Sequence, residues 1–175
     1  MDFMEDTLSK KIIYEGKIIT VETHQVKLAD HQEGFREIVH HPGGVCVLAR
    51  DKENKILMVK QFRKHMEEAY LELPAGKLEK DLTPVENAHK ELEEETGFKT
   101  KNFKNLGAYA SSPGYSDEMI HLFVAEELIP GIKGGDDDEF IDIIRLSDEE
   151  FMEGIRDGTI KDLKTVACYT LSLTL

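Results

Sequence analysis

The 175-residue sequence predicts a mixed α/β fold with one main domain and a small antiparallel β-ribbon before it. Two patterns carry this prediction. Runs of β-forming residues are interleaved with segments of helical periodicity, and both short turns and longer crossovers connect them. The composition agrees, because 40% hydrophobic and 33% charged residues are typical of a chain that buries one globular core.

The first part of the chain predicts the ribbon. Its β-like runs are separated by polar turns, and Pro42-Gly43-Gly44 then breaks the pattern. We therefore expect a β-ribbon over residues 1–41 and the main domain over residues 42–175. The predicted strands of the ribbon cover residues 17–21, 24–28 and 35–40.

The main domain contains one helix with clear start and stop signals. Thr83 is a suitable N-cap, Pro84 occupies the first helical position, and Glu86 completes a capping box. The helix is predicted over residues 84–96 and ends at Gly97, where a left-handed residue is expected. The other predicted elements are strands at 45–50, 56–62, 103–110, 119–126 and 140–146, and helices at 148–156 and 159–175.

The charge of the chain excludes some functions. It carries 22 Lys and Arg against 35 Asp and Glu, a net charge of −13, which repels nucleic-acid backbones and anionic membranes. We therefore expect no nucleic-acid partner and no membrane partner. A small phosphate compound can still bind if divalent cations stand between its oxygens and the protein carboxylates.

Sequence features also indicate a cytoplasmic protein. No apolar run is long enough for a membrane span, and the N-terminus is too polar for a signal peptide. Cys46 and Cys168 lie in apolar runs and are interpreted as core residues without a disulfide or zinc. The seven His residues show no metal-binding spacing.

Three carboxylates on the predicted helix form a candidate metal site. Glu91, Glu94 and Glu95 have spacing i, i+3 and i+4, so they project from one face within a single turn. Such a cluster can be a solvated acidic face. It can also supply the oxygen ligands that Mg²⁺ or Mn²⁺ requires.

Residues 76–98 resemble the Nudix box, G-x5-E-x7-R-E-U-x-E-E-x-G-U, where U is aliphatic or aromatic. Two positions depart from the pattern: Leu82 stands at the first Glu, and Lys90 at the Arg. Lys90 keeps the positive charge but lacks the two-pronged contact of Arg. The matching residues are Gly76, Glu91, Leu92, Glu94, Glu95, Gly97 and Phe98.

Further motifs are similar to the ADP-ribose pyrophosphatase branch of this family. In that branch a Pro follows the closing Gly of the box by sixteen residues, and Pro113 stands at that distance from Gly97. The remaining motifs are residues 36–43, 59–63, 72–76 and 112–114 with Glu118. The resemblance implies a Nudix-type α/β/α sandwich, with the N-terminal ribbon exchanged between the subunits of a homodimer.

The resemblance also implies the roles of individual residues. The metal ligands would be Glu91, Glu94, Glu95 and the carbonyl of Ala75, with Mg²⁺ or Mn²⁺ as cofactor. Glu94, Glu95 and Glu139 would be catalytic. Glu139 is the favoured general base, and Asp137 is the second candidate. Both lie on an acidic loop that could equally be a solvated surface. The substrate-binding candidates are Arg36, Glu37, Arg63, Ser112, Gly114 and Glu118.

Some of these residues have alternatives. Arg36 and Arg63 fit the oxygens of a phosphate or ribose, but either could be a surface ion-pair residue. Residues 112–114 could form an ordinary turn. Tyr14 or Phe35 would stack on adenine, although an isolated aromatic in a strand more often packs.

The predicted function is Mg²⁺-dependent hydrolysis of the pyrophosphate bond of ADP-ribose to AMP and ribose 5-phosphate. Two alternatives stay open. The substrate could be another nucleoside diphosphate sugar, or the domain could bind a nucleotide without hydrolysing it and act as a sensor. Leu82 and Lys90 are the reason for the second alternative, and the intact glutamates argue against it.

Overall fold

The computed structural model describes residues 3–134 and 140–175. The chain divides into two compact units. The first contains residues 1–43 and 110–119, and the second contains residues 44–109 and 120–175.

The first unit contains a three-stranded antiparallel sheet. Its strands are β1 (Asp6–Glu15), β2 (Thr20–Lys27) and β3 (Glu33–His40), in the order β1-β2-β3. The two predicted strands at 17–21 and 24–28 were wrong, because residues 20–21 and 24–27 belong to the single strand β2, and residues 17–19 precede it. Strand β1 was missed, since its side chains are all exposed and no alternation of apolar and polar residues marks it.

The second unit holds most of the remaining strands. Two sheets have the orders β7-β4-β10-β9 and β12-β5-β6, and β8 pairs with β11. Two of these strands, β9 and β10, extend by one residue each into the first unit. The strands are β4 (Gly44–Ala49), β5 (Ile56–Arg63), β6 (Glu68–Glu72), β7 (Ala75–Lys77), β8 (Phe98–Lys99), β9 (Asn102–Ala110), β10 (Met119–Glu126), β11 (Ile129–Pro130) and β12 (Ile141–Leu146).

Strand β4 is buried on both of its faces and lies parallel to β10. Cys46 and Leu48 pack with residues of two helices, α2 (Asp148–Asp157) and α3 (Leu163–Ser172). Val45 and Val47 pack on the opposite side with residues of helix α1 (Pro84–Thr96). This alternation, with helices on both faces, gives the predicted α/β/α sandwich.

Helix α1 has the predicted bounds. The Thr83 hydroxyl accepts a hydrogen bond from the Glu86 N–H at 3.3 Å, and the Glu86 carboxylate accepts one from the Thr83 N–H at 2.7 Å. Gly97 ends the helix with a φ of 73°, which is left-handed backbone that favours glycine.

Helix α3 is shorter than predicted. It begins after the N-cap Asp162 and ends at Ser172, whereas the periodicity predicted a helix over residues 159–175. Ile160 is buried and contributes to the core from a non-helical segment, so its helical spacing was coincidental. In the described part of the chain, no helix is long and apolar enough to cross a membrane.

Candidate active site

Two of the predicted metal ligands lie against the backbone at Ala75 and Gly76. The carboxylate of Glu95 accepts a hydrogen bond from the Ala75 N–H at 2.9 Å. A Cβ atom built on Gly76 would lie 2.1 Å from the Glu91 carboxylate, so any other residue at this position would displace Glu91. The helix spacing and the glycine together place Glu91 and Glu95 beside the backbone at Ala75 and Gly76.

The third carboxylate of the cluster has a different partner. Lys90 lies 3.5 Å from the Glu94 carboxylate and donates a hydrogen bond to Glu79 in the loop before α1. The hydrogen bond to Glu79, aided by the charge of Glu94, raises the pKa of Lys90, so the amine stays protonated. The backbone carbonyl of Glu79 accepts a hydrogen bond from the N–H of Leu82 at 3.2 Å, and Leu82 stands where the family pattern has Glu.

The predicted metal ligands Glu91, Glu94, Glu95 and the Ala75 carbonyl fit a divalent metal ion in two respects. Their donor atoms are all oxygens, as Mg²⁺ and Mn²⁺ prefer, and Gly76 leaves the space that the Glu91 carboxylate occupies. Among residues 3–134 and 140–175, no group of three or more His, Cys, Asp or Glu side chains has its donor atoms already converged as for a metal.

Arg63 lies at the end of β5 and faces the buried Glu72. Its guanidinium donates two hydrogen bonds to the Glu72 carboxylate, from Nε at 2.6 Å and from the terminal nitrogen at 2.9 Å. Lys164 of α3 also donates to Glu72. Burial acts to raise the pKa of Glu72, but these two cations outweigh it and lower the pKa.

The substrate-binding candidates of the first unit lie on β3 and on the loop 111–118. Arg36 donates from Nε to the Glu5 carboxylate at 3.0 Å, and Glu37 is exposed on the same strand. This is the ion-pair alternative considered for Arg36, although its side chain remains 43% exposed.

The loop 111–118 and the end of β3 line a small, partly open cavity. The Ser111 hydroxyl donates to the Glu118 carboxylate at 2.5 Å, and His41 lies 3.1 Å from the same carboxylate. Gly114 has open space around it, so packing does not require glycine there. The cavity of about 180 Å³ is lined by Val39, His41, Ser111, Ser112, Tyr115, Ser116 and Glu118.

The predicted general base cannot be placed. Glu139 and the second candidate, Asp137, lie outside the described residues. The chain leading to them is bound to the end of α1, because the Glu93 carboxylate accepts a hydrogen bond from the Ile132 N–H at 3.1 Å and the Glu94 carbonyl accepts one from the Gly134 N–H, also at 3.1 Å.

Sequence reasoning missed three charged residues around this site. The first is Glu79, which forms an ion pair with Lys90. The other two are Glu72 and Lys164, which pair with each other, and Glu72 also pairs with Arg63. Glu72 lies in the motif at residues 72–76, but the sequence does not show that its side chain is buried. Lys164 lies far along the chain, and no local pattern predicts its contact with Glu72.

Comparisons with known proteins show the family to which this chain is similar. A match to the NUDIX domain family covers residues 40–163. A methanol dehydrogenase activator from Bacillus methanolicus is 44% identical over 94% of this chain and 90% of its own length. An ADP-ribose pyrophosphatase from Bacillus subtilis strain 168 is 42% identical over 92% of this chain and 88% of its own.

More distant proteins complete the comparison. A GDP-mannose pyrophosphatase from Cronobacter sakazakii is 33% identical over 75% of this chain and 73% of its own length. A crystal structure of an ADP compounds hydrolase has a TM-score of 0.88 at 18% identity, and the alignment covers 99% of this chain and 95% of that one. This likeness confirms the predicted fold.

The chain belongs to the Nudix family, as its box residues predicted. The predicted enzyme class, a Nudix pyrophosphohydrolase, is also confirmed. Membership of this family implies dependence on a divalent metal ion.

Proposed function

We propose that this protein hydrolyses the pyrophosphate bond of ADP-ribose to AMP and ribose 5-phosphate. The observation that carries the proposal is the placement of Glu91 and Glu95 on the backbone at Ala75 and Gly76. The substrate is supported by the 42% identity to an ADP-ribose pyrophosphatase over 92% of the chain.

In this proposal Glu91, Glu94, Glu95 and the Ala75 carbonyl hold Mg²⁺ or Mn²⁺. When bound, the metal would neutralise charge on the pyrophosphate and lower the pKa of a water molecule. Glu139 takes the proton from the attacking water as general base. The water oxygen forms a new bond to one phosphorus, and the bond from that phosphorus to the bridging oxygen breaks.

The remaining candidates bind the substrate. Arg63 and Arg36 offer guanidinium groups to phosphate or ribose oxygens. Both face carboxylates, Glu72 and Glu5, which hold their planar groups in defined orientations. Glu37, Ser112, Gly114 and Glu118 contribute contacts from β3 and the loop 111–118, where the serine and the glutamate line the small cavity.

We further propose a cytoplasmic homodimer in which the ribbon of residues 1–41 is exchanged between subunits. Strand β1 supports the exchange, because its apolar side chains at Leu8, Ile12 and Ile13 are each at least 51% exposed. Tyr14 or Phe35 of the ribbon would stack on adenine. The free thiols of Cys46 and Cys168 suit a reducing compartment.

The test is hydrolysis of ADP-ribose and a panel of nucleoside diphosphate sugars, including GDP-mannose, with and without Mg²⁺. We expect Mg²⁺-dependent release of AMP from ADP-ribose, and a loss of at least about 100-fold in kcat for Glu95→Gln. Glu153→Gln, on the exposed face of α2, is the control and should keep full activity.

Two other results would overturn this proposal. Faster turnover of a different nucleotide sugar would replace ADP-ribose as the substrate. Binding of ADP-ribose without any turnover would identify a non-hydrolysing sensor.

A second candidate function is activation of a methanol dehydrogenase. It is favoured by the 44% identity to the methanol dehydrogenase activator over 94% of the chain. Addition of this protein to a Bacillus methanol dehydrogenase should then raise the rate of methanol oxidation, and Glu95→Gln would show whether hydrolysis is required. An unchanged rate would exclude this candidate.

A further inference from the structure

The segment from Glu72 to Ala75 is fixed at both of its ends. It connects β6 to β7 and carries the carbonyl that we propose as a metal ligand. At the Ala75 end the Glu95 carboxylate accepts the backbone N–H. At the Glu72 end the contacts come from Arg63 of β5 and from the first turn of α3, an element that contains no part of the Nudix box.

Lys164 is the first of the contacts from α3. Its amine donates to the Glu72 carboxylate and lies 3.0 Å from the Asp162 carboxylate. The Glu72 side chain is 2% exposed and that of Lys164 is 20% exposed. Burying such a pair gives little net stability, because the loss of hydration offsets the attraction. A geometric role explains the pair better than a stabilising one.

Thr165 is the second contact. Its hydroxyl accepts a hydrogen bond from the Leu73 N–H at 2.9 Å and donates one to Asp162 at 2.6 Å. Thr165 is fully buried, so no water can replace the hydroxyl without rearrangement. Asp162 is also the N-cap of α3, which ties both contacts to the start of that helix.

The short segment can transmit these contacts to Ala75. Only Leu73 and Pro74 separate Glu72 from Ala75, and the proline ring fixes its own φ. The Pro74 carbonyl also accepts a hydrogen bond from Val47 at 2.8 Å, which binds the segment to the central strand β4. Because only two residues lie between them, we expect a shift at Glu72 or Leu73 to move the backbone at Ala75.

We infer that Lys164 and Thr165 are positioning residues, which set the Ala75 carbonyl in place for the metal ion through Glu72 and Leu73. This inference rests on the proposed metal site. It gives α3 a part in metal binding, although neither residue touches the metal or the substrate.

The test measures Mn²⁺ binding to the whole protein without substrate. The concentration of free Mn²⁺ is determined by electron paramagnetic resonance. We expect about 10-fold weaker Mn²⁺ binding for Lys164→Met and for Thr165→Val. The Mg²⁺ concentration for half-maximal ADP-ribose hydrolysis should rise by the same factor, while KM for ADP-ribose at saturating Mg²⁺ should stay unchanged.

Two matched controls separate positioning from general damage. Lys161→Met removes a neighbouring cation that pairs with the exposed Glu68, and it should bind Mn²⁺ as the wild type does. Thr165→Ser keeps the hydroxyl and should restore most of the affinity. If Lys164→Met does not fold, the pair Thr165→Val and Thr165→Ser decides.

The possible outcomes distinguish this inference from the proposed function. Wild-type Mn²⁺ affinity in both Lys164→Met and Thr165→Val overturns the inference while leaving the hydrolase intact. Weaker Mn²⁺ binding in these variants, with no turnover by the wild type, supports the inference and overturns the function. No Mn²⁺ binding by the wild type overturns both.

Discussion

Glu72 and Glu22 are two buried glutamates that their surroundings keep ionised by different means. Each lies in a different unit of the chain, and each is less than 10% exposed. Glu72 is paired with Arg63 and Lys164, which remain charged throughout the physiological range. Glu22 is contacted by Lys10, His24 and His40. Of these, His40 has a raised pKa and changes its charge with pH, unlike the cations around Glu72.

This difference determines which part of the molecule responds to pH. The hydrogen bond from His24 is the largest cause that lowers the pKa of Glu22, to about 2. His40 connects Glu22 to Asp117, and the hydrogen bond to Asp117 raises the pKa of His40. The surroundings of Glu72 are thus insensitive to pH near neutrality, whereas those of Glu22 change with it.

The largest effect is expected for Glu72→Gln. The substitution leaves Arg63 and Lys164 without their shared counter-charge, and breaking a buried ion pair in this way costs about 3 kcal/mol. Urea unfolding should show a lower midpoint at unchanged slope. Glu68→Gln, which breaks only the exposed pair with Lys161, should cost less than about 1 kcal/mol. Equal costs for the two variants would contradict the role given to burial.

The second prediction concerns pH. Because the folded state raises the pKa of His40, its contribution is complete below the ordinary pKa of 6.5 and is lost as pH rises through the folded value. The free energy of unfolding should therefore fall between pH 6 and pH 8.5, and His40→Gln should reduce the fall by less than about 1 kcal/mol. An unchanged pH profile in His40→Gln would show that the contacts with Glu22 and Asp117 do not favour the protonated ring.

The smallest effect is expected for Lys10→Met. Lys10 reaches Glu22 at 3.2 Å, but its side chain is 62% exposed and water screens the pair. The free energy of unfolding should change by about 0.5 kcal/mol or less, and 1 M salt should remove the difference between variant and wild type. A loss as large as that of Glu72→Gln would mean that the histidines alone cannot keep Glu22 ionised.

Much of the fold could be predicted where local signals specify it. Helix α1 has the predicted bounds because Thr83, Glu86 and Gly97 are caps that act within one turn. Strands β1, β6, β7, β8 and β11 were not predicted. Strand β1 has no buried face, and the other four have only two to five residues each. Strand β7 also pairs with β4, which lies about 30 residues earlier in the chain. Pairing with a distant strand leaves no local periodicity to detect.

The site divides in the same way. The helical spacing of Glu91 and Glu95 is a local pattern, and the motif includes Gly76, so both could be assigned to the site from the sequence. The pairing of Lys90 with Glu79 and of Lys164 with Glu72 depends on how the loop and α3 fold back on the unit. The sequence contains these charges but does not show which of them meet.

The parallel pairing of β4 with β10 has a consequence for the order of folding. Strands β5 to β9 and helix α1 all lie between the two partners along the chain. Closing so long a loop costs entropy before any contact between the two strands compensates for it. The meander β1-β2-β3 needs only short turns, so it can form early. The central strands, and with them the backbone that we propose as part of the metal site, should be completed among the last steps.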